Sequence, residues 1–224
     1  NMHPVRTLQM TETPIIKPAY RSRVNELENT VSSFIVNIVF NKGAFPYLKH
    51  NYYYHKDGEV WNMTNYTEEN WPLGYALFFS ASSKSDVHAE SMTILAYMKF
   101  DEVKQWAGTF NTVANEDDRG KGYEDFKKRK AELLIDKVEE KFPGIRKAVK
   151  SYYTATPLSY RDYIGNDDGS MYGIAKDYHN PLKTFISPRT KVPNLYLTGQ
   201  NLNLHGVLGA AMSGLVTCVA FMGN

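Results

Sequence analysis

Cysteine is almost absent from this chain of 224 residues. Cys218 stands alone, which excludes a disulfide framework and a cysteine-rich zinc site. Charge of one sign is also missing: 26 Lys and Arg against 24 Asp and Glu give a net of +2. Nucleic-acid binding needs a basic footprint, so that class of partner is not expected. No apolar stretch near the start has the form of a signal peptide. A single thiol fixes no compartment, and a cytoplasmic or peripheral-membrane place is the expectation. The start at Asn1-Met2-His3-Pro4 reads as an internal cut in a longer protein. No internal repeat or low-complexity tract is present.

Several catalytic signatures are lacking too. A strand followed by G-x-G-x-x-G occurs nowhere, and Gly206, Gly209 and Gly214 have the wrong spacing. The phosphate loop of any bound dinucleotide must then lie outside this chain. Ala211-Met212-Ser213-Gly214 lacks the first glycine of a nucleophile elbow. The histidines, at 3, 50, 55, 88, 179 and 205, show no metal-ligand spacing, so no metal is expected. Asp117-Asp118, Glu139-Glu140 and Asp167-Asp168 are adjacent carboxylates, which point apart and read as surface pairs.

What is present is an apolar fraction of 42% and an aromatic fraction of 13% with 16 Tyr, enough for a packed core. Residues 31–40 place Phe34, Val36, Ile38 and Phe40 on one face at period two, and Ile35 and Val39 on the other. This predicts a strand buried on both faces for part of its length. Further strands are expected at 51–55, 74–82 and 91–100, with a loop at 80–85. Together they predict a mostly antiparallel sheet. Pro14 and Pro18 make residues 10–20 a connector, and the residue before Pro4 is pushed to extended backbone, as in a strand end or turn.

Residues 101–150 hold 23 of the 50 charged residues. Apolar positions 123, 126, 134, 138 and 142 predict an amphipathic helix, ended by Pro143-Gly144, with its dense charge on a solvated face. A short helix follows at 145–149. Tyr152, Tyr153, Tyr160, Tyr163 and Tyr172 cluster in sequence before the C-terminal segment. Such a cluster reads as core and rim packing, or as the source of a proton donor in a pocket.

After Lys191 no charged residue occurs in the last 33 positions. Residues 194–198 predict a short strand, 199–205 a polar loop, and 206–222 an apolar helix. Small residues at 206, 209, 210, 213, 214 and 217 let that helix lie close to a sheet or a flat ligand. Its N-terminus suits an anion or a polarised carbonyl. Pattern alone leaves three readings open: a buried helix, a ligand-facing helix, or a membrane span.

Residues 187–201 (SPRTKVPNLYLTGQN), followed by His205-Gly206-Val207-Leu208-Gly209, resemble the C-terminal flavin motif of the phytoene desaturase superfamily. The nearest branch by these residues is that of the retinol saturases and carotenoid isomerase relatives. Residues 1–4 are similar to the segment where such chains leave the flavin domain. Residues 156–163 and 169–173 are similar to turns of its substrate domain.

The resemblance implies an α+β or α/β fold. A substrate domain, 15–187, would carry the antiparallel sheet and helices. Residues 1–14 and 188–224 would supply the terminal strand and helix of an incomplete Rossmann-like FAD domain. It implies FAD as cofactor, NAD(P) as an electron donor, and a conjugated apolar polyene as substrate. Hydride would pass through flavin N5. Cofactor-binding residues would be Gly199, Gln200, Asn201, His205, Gly206, Val207, Leu208 and Gly209. Met171 and Tyr172 would line the substrate pocket, and Tyr160 and Tyr172 are the catalytic candidates. Many members carry an aspartate where this chain has Gln200, which marks the saturase-like branch.

The isolated chain, lacking the phosphate-binding half, would be inactive. It would expose apolar surface near 194–221 and self-associate, for example as a homodimer. Peripheral membrane contact follows from a lipid-borne substrate. A stand-alone binding module for an apolar ligand and an amine-oxidase-like flavoenzyme are the competing readings.

Overall fold

A computed structural model describes residues 2–58, 60–111 and 119–223. Asn1 and the Asp117-Asp118 pair lie outside the described residues. The chain forms two compact units, Asn1–Val31 with Tyr160–Asn224, and Ser32–Ser159. The expected substrate domain, 15–187, contains the whole of the second unit and part of the first.

The Ser32–Ser159 unit is built on a five-stranded sheet with strands β1 (Ser32–Phe40), β2 (Tyr52–His55), β3 (Gly74–Ser82), β4 (Ser85–Met98) and β5 (Val149–Ala155). Every pairing is antiparallel, in the order β2-β3-β4-β1-β5, so the fold is α+β as expected. Four of the strands fall where strands were expected, and β1 follows the expected alternation. Phe34, Val36, Ile38 and Phe40 are buried on one face, while Asn37 and Val39 are exposed on the other. Ser33 is buried and Ile35 half-buried, so both faces are covered only at the start of β1.

Two features depart from the sequence reading. The expected loop at 80–85 shrinks to a turn at Ser83-Lys84, and β4 begins at Ser85 rather than 91, because the hairpin continues pairing to Ser82↔Ser85 across two register shifts. The fifth strand, β5, was not anticipated. Val149-Lys150-Ser151 breaks apolar alternation, yet backbone pairing with β1 holds the segment.

Helices cover the buried face. The chain's first two, α1 (Pro4–Met10) and α2 (Pro18–Asn25), belong to the other unit; α3 (Lys121–Lys141) and α4 (Ile145–Ala148) lie here. A 3-10 turn at Phe100–Trp106 precedes them. On α3 the buried positions are 123, 126, 130, 131, 134, 135 and 138, a helical stripe. They join Phe34, Ile38, Leu77, Met92, Ile94 and Met98 in one core.

Lys130 corrects the expectation of a wholly solvated charged face. Its side chain is buried, its ammonium pairs with Glu102 at 2.6 Å and lies over the Trp71 ring at 4.4 Å. Glu102 also accepts from the Tyr66 hydroxyl at 2.5 Å, and Tyr66 in turn accepts from the Lys99 amide at 2.6 Å. Burial, then the Glu102 hydrogen bond, pushes the Tyr66 phenol up. A buried charge of this kind persists because partners satisfy it.

The other unit has little regular sheet. Both α1 and α2 begin on proline, whose missing N–H costs nothing in a first turn. His3 is extended, as the residue before proline should be, but it caps a helix rather than ending a strand: its Nδ1 accepts from Val5 N at 3.3 Å. Residues 156–163, expected as turns, fall mostly in α5 (Pro157–Ile164), which begins in the sheet unit and ends in this one, followed by α6 (Pro181–Thr184) and α7 (Gly206–Met222). The expected strand at 194–198 reduces to one bridge, Arg189↔Tyr196. A strand needs an extended partner, and among the described residues Tyr196 finds only this one.

Candidate functional site

The site gathers residues 171–176 and 199–209 of one unit. Segment 28–31 runs beside 171–175 and anchors it through Thr30 N to Gly173 O at 2.7 Å and Ala175 N to Glu28 O at 2.8 Å. Four residues, Gly199-Gln200-Asn201-Leu202, then make a turn closed by Leu202 N donating to Gly199 O at 3.2 Å. Gly199 has φ 103°, which favours glycine.

This turn is held by α7 at one corner and by segment 171–176 at the others. Gly199 N donates to Ser213 Oγ of α7 at 2.9 Å. Asn201 Oδ1 accepts from Ile174 N at 3.0 Å, so the Asn201 amide turns inward and is buried. Lys176 Nζ donates to Asn201 O at 2.6 Å and to Leu202 O at 3.1 Å. Gln200 is left at the half-exposed corner, its Nε2 making a long 3.4 Å bond to Met171 O. Leu202 anchors the turn in a small apolar cluster with Ile174, Ile186 and Leu197.

His205 leads from the turn into α7. Its Nε2 bonds Ile174 O at 2.9 Å, and its ring stacks on Tyr172 with centroids 5.6 Å apart and planes 11° from parallel. The ring therefore makes no capping bond to α7. Gly206 has φ 75°, nothing would meet a Cβ there, and Val207 is 90% exposed. A 17-residue helix thus begins in open space with uncapped N–H groups.

The face of α7 that meets the chain is the reverse of an ordinary amphipathic helix. Gly209 and Ser213 are buried, while Leu208, Leu215, Val219, Phe221 and Met222 are exposed. A Cβ on Gly209 would come within 2.2 Å of Leu204 O, and Thr217 Oγ1 donates to Leu197 O at 3.1 Å. The small-residue stripe does permit close approach, but against the 197–204 segment rather than a sheet. No helix among the described residues is long and apolar enough to cross a membrane.

The expected site residues Met171, Tyr172, Gln200, Asn201 and His205 are thereby brought together. Gly206, Val207 and Leu208 open the helix beside them, and Gly209 serves packing. Tyr160 stands half-buried on α5. The tyrosine cluster does not form one group: Tyr152 and Tyr153 belong to the sheet unit, where Tyr152 donates to Glu132 Oε1 at 2.9 Å. Ser170, just before Met171, has a buried hydroxyl with no hydrogen-bond partner. A cavity of about 320 Å³ is lined by Arg189 to Tyr196 and holds none of the expected residues.

Sequence reasoning missed Lys176, which lies in no recognisable motif, and placed Gly173 only in a substrate-domain-like turn, without its approach to Asn201. Burial holds the Lys176 ammonium down to about 8. No carboxylate pairs with it among the described residues.

A flavin dinucleotide needs donors for its polar edge and an open approach. Uncapped helix N–H groups suit a polarised or anionic edge, and the Gln200 amide can donate and accept beside them. Nothing lies within 4 Å of a Cβ at Gly206, so the approach to the helix start is open. The residues present fit the group.

No family model matches the chain. Curated proteins do. The chain is 29% identical over 133 residues to an all-trans-retinol 13,14-reductase of Danio rerio, covering 57% of this chain and 21% of the relative. It is 27% identical over 164 residues to that of Homo sapiens, covering 69% and 26%. It is also 29% identical over 164 residues to a Danio rerio protein described as an inactive all-trans-retinol 13,14-reductase, again covering 69% and 26%. The resemblance read from the sequence to the retinol saturase branch is borne out. The chain spans about a quarter of the length of the curated relatives it matches.

Proposed function

We propose that this chain is the C-terminal part of an FAD-dependent oxidoreductase acting on a retinoid-like conjugated polyene. In this reading the phosphate-binding half is contributed by sequence outside these 224 residues. One observation carries the reading: the uncapped start of α7 stands beside the Gly199–Leu202 turn, in a chain similar to retinol 13,14-reductases.

The chemistry a bound FAD supplies is hydride transfer through N5, with NAD(P)H as the electron donor in the reductive direction. The residues of this chain bind and orient. The amides of Gly206, Val207 and Leu208 would offer positive dipole ends to a bound cofactor. Gln200 donates or accepts at the corner of the turn without bringing charge. Met171 and Tyr172 offer an apolar and an aromatic surface to a flat polyene. A phenol, Tyr172 or Tyr160, or a water molecule holds the proton that accompanies hydride transfer.

The test is the visible absorbance of the protein expressed from its natural start codon, followed by turnover of retinol and carotenoids. A yellow protein with flavin bands and polyene turnover supports the reading. A colourless protein that binds no added FAD overturns it. A second reading, a non-catalytic module for an apolar ligand, draws on the similarity to a relative described as inactive. Retained retinoid without flavin would favour it.

A further inference from the structure

The charge-free segment 192–224 can receive a cation only from elsewhere in the chain, and Lys176 brings one. Its ammonium gives two N–H bonds to consecutive backbone carbonyls, Asn201 O and Leu202 O. Those carbonyls sit at the far corner of the turn whose near corner is Gln200. Both are drawn toward 171–176, where Ile174 N already holds the Asn201 side chain. The two contacts act on the same residue, one on its side chain and one on its carbonyl. Together they allow the turn little freedom to rotate.

Lys176 brings a desolvation cost along with its two hydrogen bonds. The ammonium is half-buried beside an apolar cluster of Ile174, Ile186, Leu197 and Leu202, and desolvation penalises its charge. Nearby charged and titratable groups do not compensate it. Asp177 is turned away, its carboxylate accepting from the amides of His179 and Asn180 and lying 4.0 Å from Lys183. His205 is spent on Ile174 O. A leucine or methionine would avoid the desolvation cost but would leave both carbonyls without this donor.

We propose that Lys176 is a positioning residue for cofactor binding: it pins the Asn201 and Leu202 carbonyls and so holds the Gly199–Leu202 turn in the form that presents Gln200. The role rests on the flavin reading above and deepens it. Lys176 does not itself touch the cofactor; it acts through the turn. Removing the ammonium strands the Asn201 and Leu202 carbonyls, so a modest loss of stability is expected, and flavin retention should weaken by more than that loss accounts for.

The experiment uses the full-length protein, with FAD as the probe. FAD affinity is titrated by flavin fluorescence and absorbance for wild type, Lys176→Met and Lys176→Arg, and thermal midpoints are measured without FAD. The expected result is a dissociation constant raised at least about tenfold in Lys176→Met, with a midpoint lowered only modestly by the two stranded carbonyls. Lys176→Arg, which keeps charge and two donors, should recover most of the affinity. Lys176→Gln serves as the truncated variant if the methionine chain does not fold. Equal FAD affinity in wild type and Lys176→Met overturns the role of Lys176 and leaves the flavin reading intact. An affinity loss matched by a lowered midpoint, unrescued by arginine, also overturns it. A wild type that binds no FAD overturns the flavin reading, and this role with it.

Discussion

Gly173 and Asn201 approach so closely that a Cβ on the glycine would lie 2.0 Å from Asn201 Oδ1. Gly173 also has φ 72°, so its backbone and its neighbour both demand glycine. Gly173→Ala should destabilise the protein by at least about 2 kcal/mol. Gly165→Ala is the control: its φ is 84°, but nothing lies within 4 Å of a Cβ there, so only the backbone term, about 1–2 kcal/mol, applies. Urea unfolding of the pair measures the difference. Equal losses would mean that the Asn201 contact contributes nothing.

The Lys130–Glu102 pair in the sheet unit makes a non-additive prediction. Lys130→Met leaves the half-buried Glu102 without its cation and should cost about 2–4 kcal/mol. Adding Glu102→Gln to it should restore much of that loss, because the amide still accepts from the Tyr66 hydroxyl. A double-mutant cycle by chemical denaturation checks this. Additive losses would sink the idea.

Two serines of the other unit should respond oppositely. Ser170 Oγ is buried without a partner, so Ser170→Ala should leave the melting temperature unchanged or raise it. Ser213 Oγ accepts from Gly199 N in a buried bond. Ser213→Ala strands that donor and should cost about 1–3 kcal/mol. Calorimetry on both variants is sufficient.

Stability should depend on pH with a maximum on the alkaline side. Burial lowers Lys176 from 10.5 to about 8, so the folded state releases its proton first. Its desolvation penalty is fully present below about pH 8 and fades as pH rises toward 10.5, so stability climbs through that window. Burial raises Tyr75 and Tyr152 to about 12 and Tyr66 further. Above pH 10 the unfolded chain therefore ionises before the folded one, and stability falls. Denaturation midpoints from pH 7 to 11 trace the curve. Lys176→Met should remove the rise and keep the fall.

A polypeptide limited to residues 1–224 should self-associate through α7. The helix exposes Leu208, Leu215, Val219, Phe221 and Met222 and carries no charge to oppose contact. Leu215→Glu combined with Val219→Lys should shift it toward monomer in sedimentation velocity. A monodisperse monomer at high concentration without the substitutions would exclude this interface.

Sequence legibility followed the physical signals that repeat locally. Strand alternation at Phe34 to Phe40 exposes one face of a pleat, and the 123–138 stripe one face of a helix; both survive in the fold because burial acts on the same residues the pattern marks. The bounds of α7 are readable because Gly206 opens and Gly223 follows an uninterrupted apolar run. The short helices α1 and α2 were hidden because Pro4 and Pro18 read as breakers, although proline is well placed in a first turn. Lys130 was hidden because charge usually marks a solvated face.

The amino-acid sequence by itself determined the antiparallel sheet, the long helices and the C-terminal motif, since each depends on spacing within a few residues. It also carried the likeness to the retinol saturase branch. Only the tertiary structure decided that Asn201 turns inward, that Gly173 must lack a side chain, that Lys176 pins the turn, and that α7 docks by its small residues. Each of these is a contact between segments about 15 to 30 positions apart, made largely to backbone atoms. Backbone carbonyls and amides are the same in every residue, so no local pattern of side chains announces which of them a distant lysine or asparagine will meet.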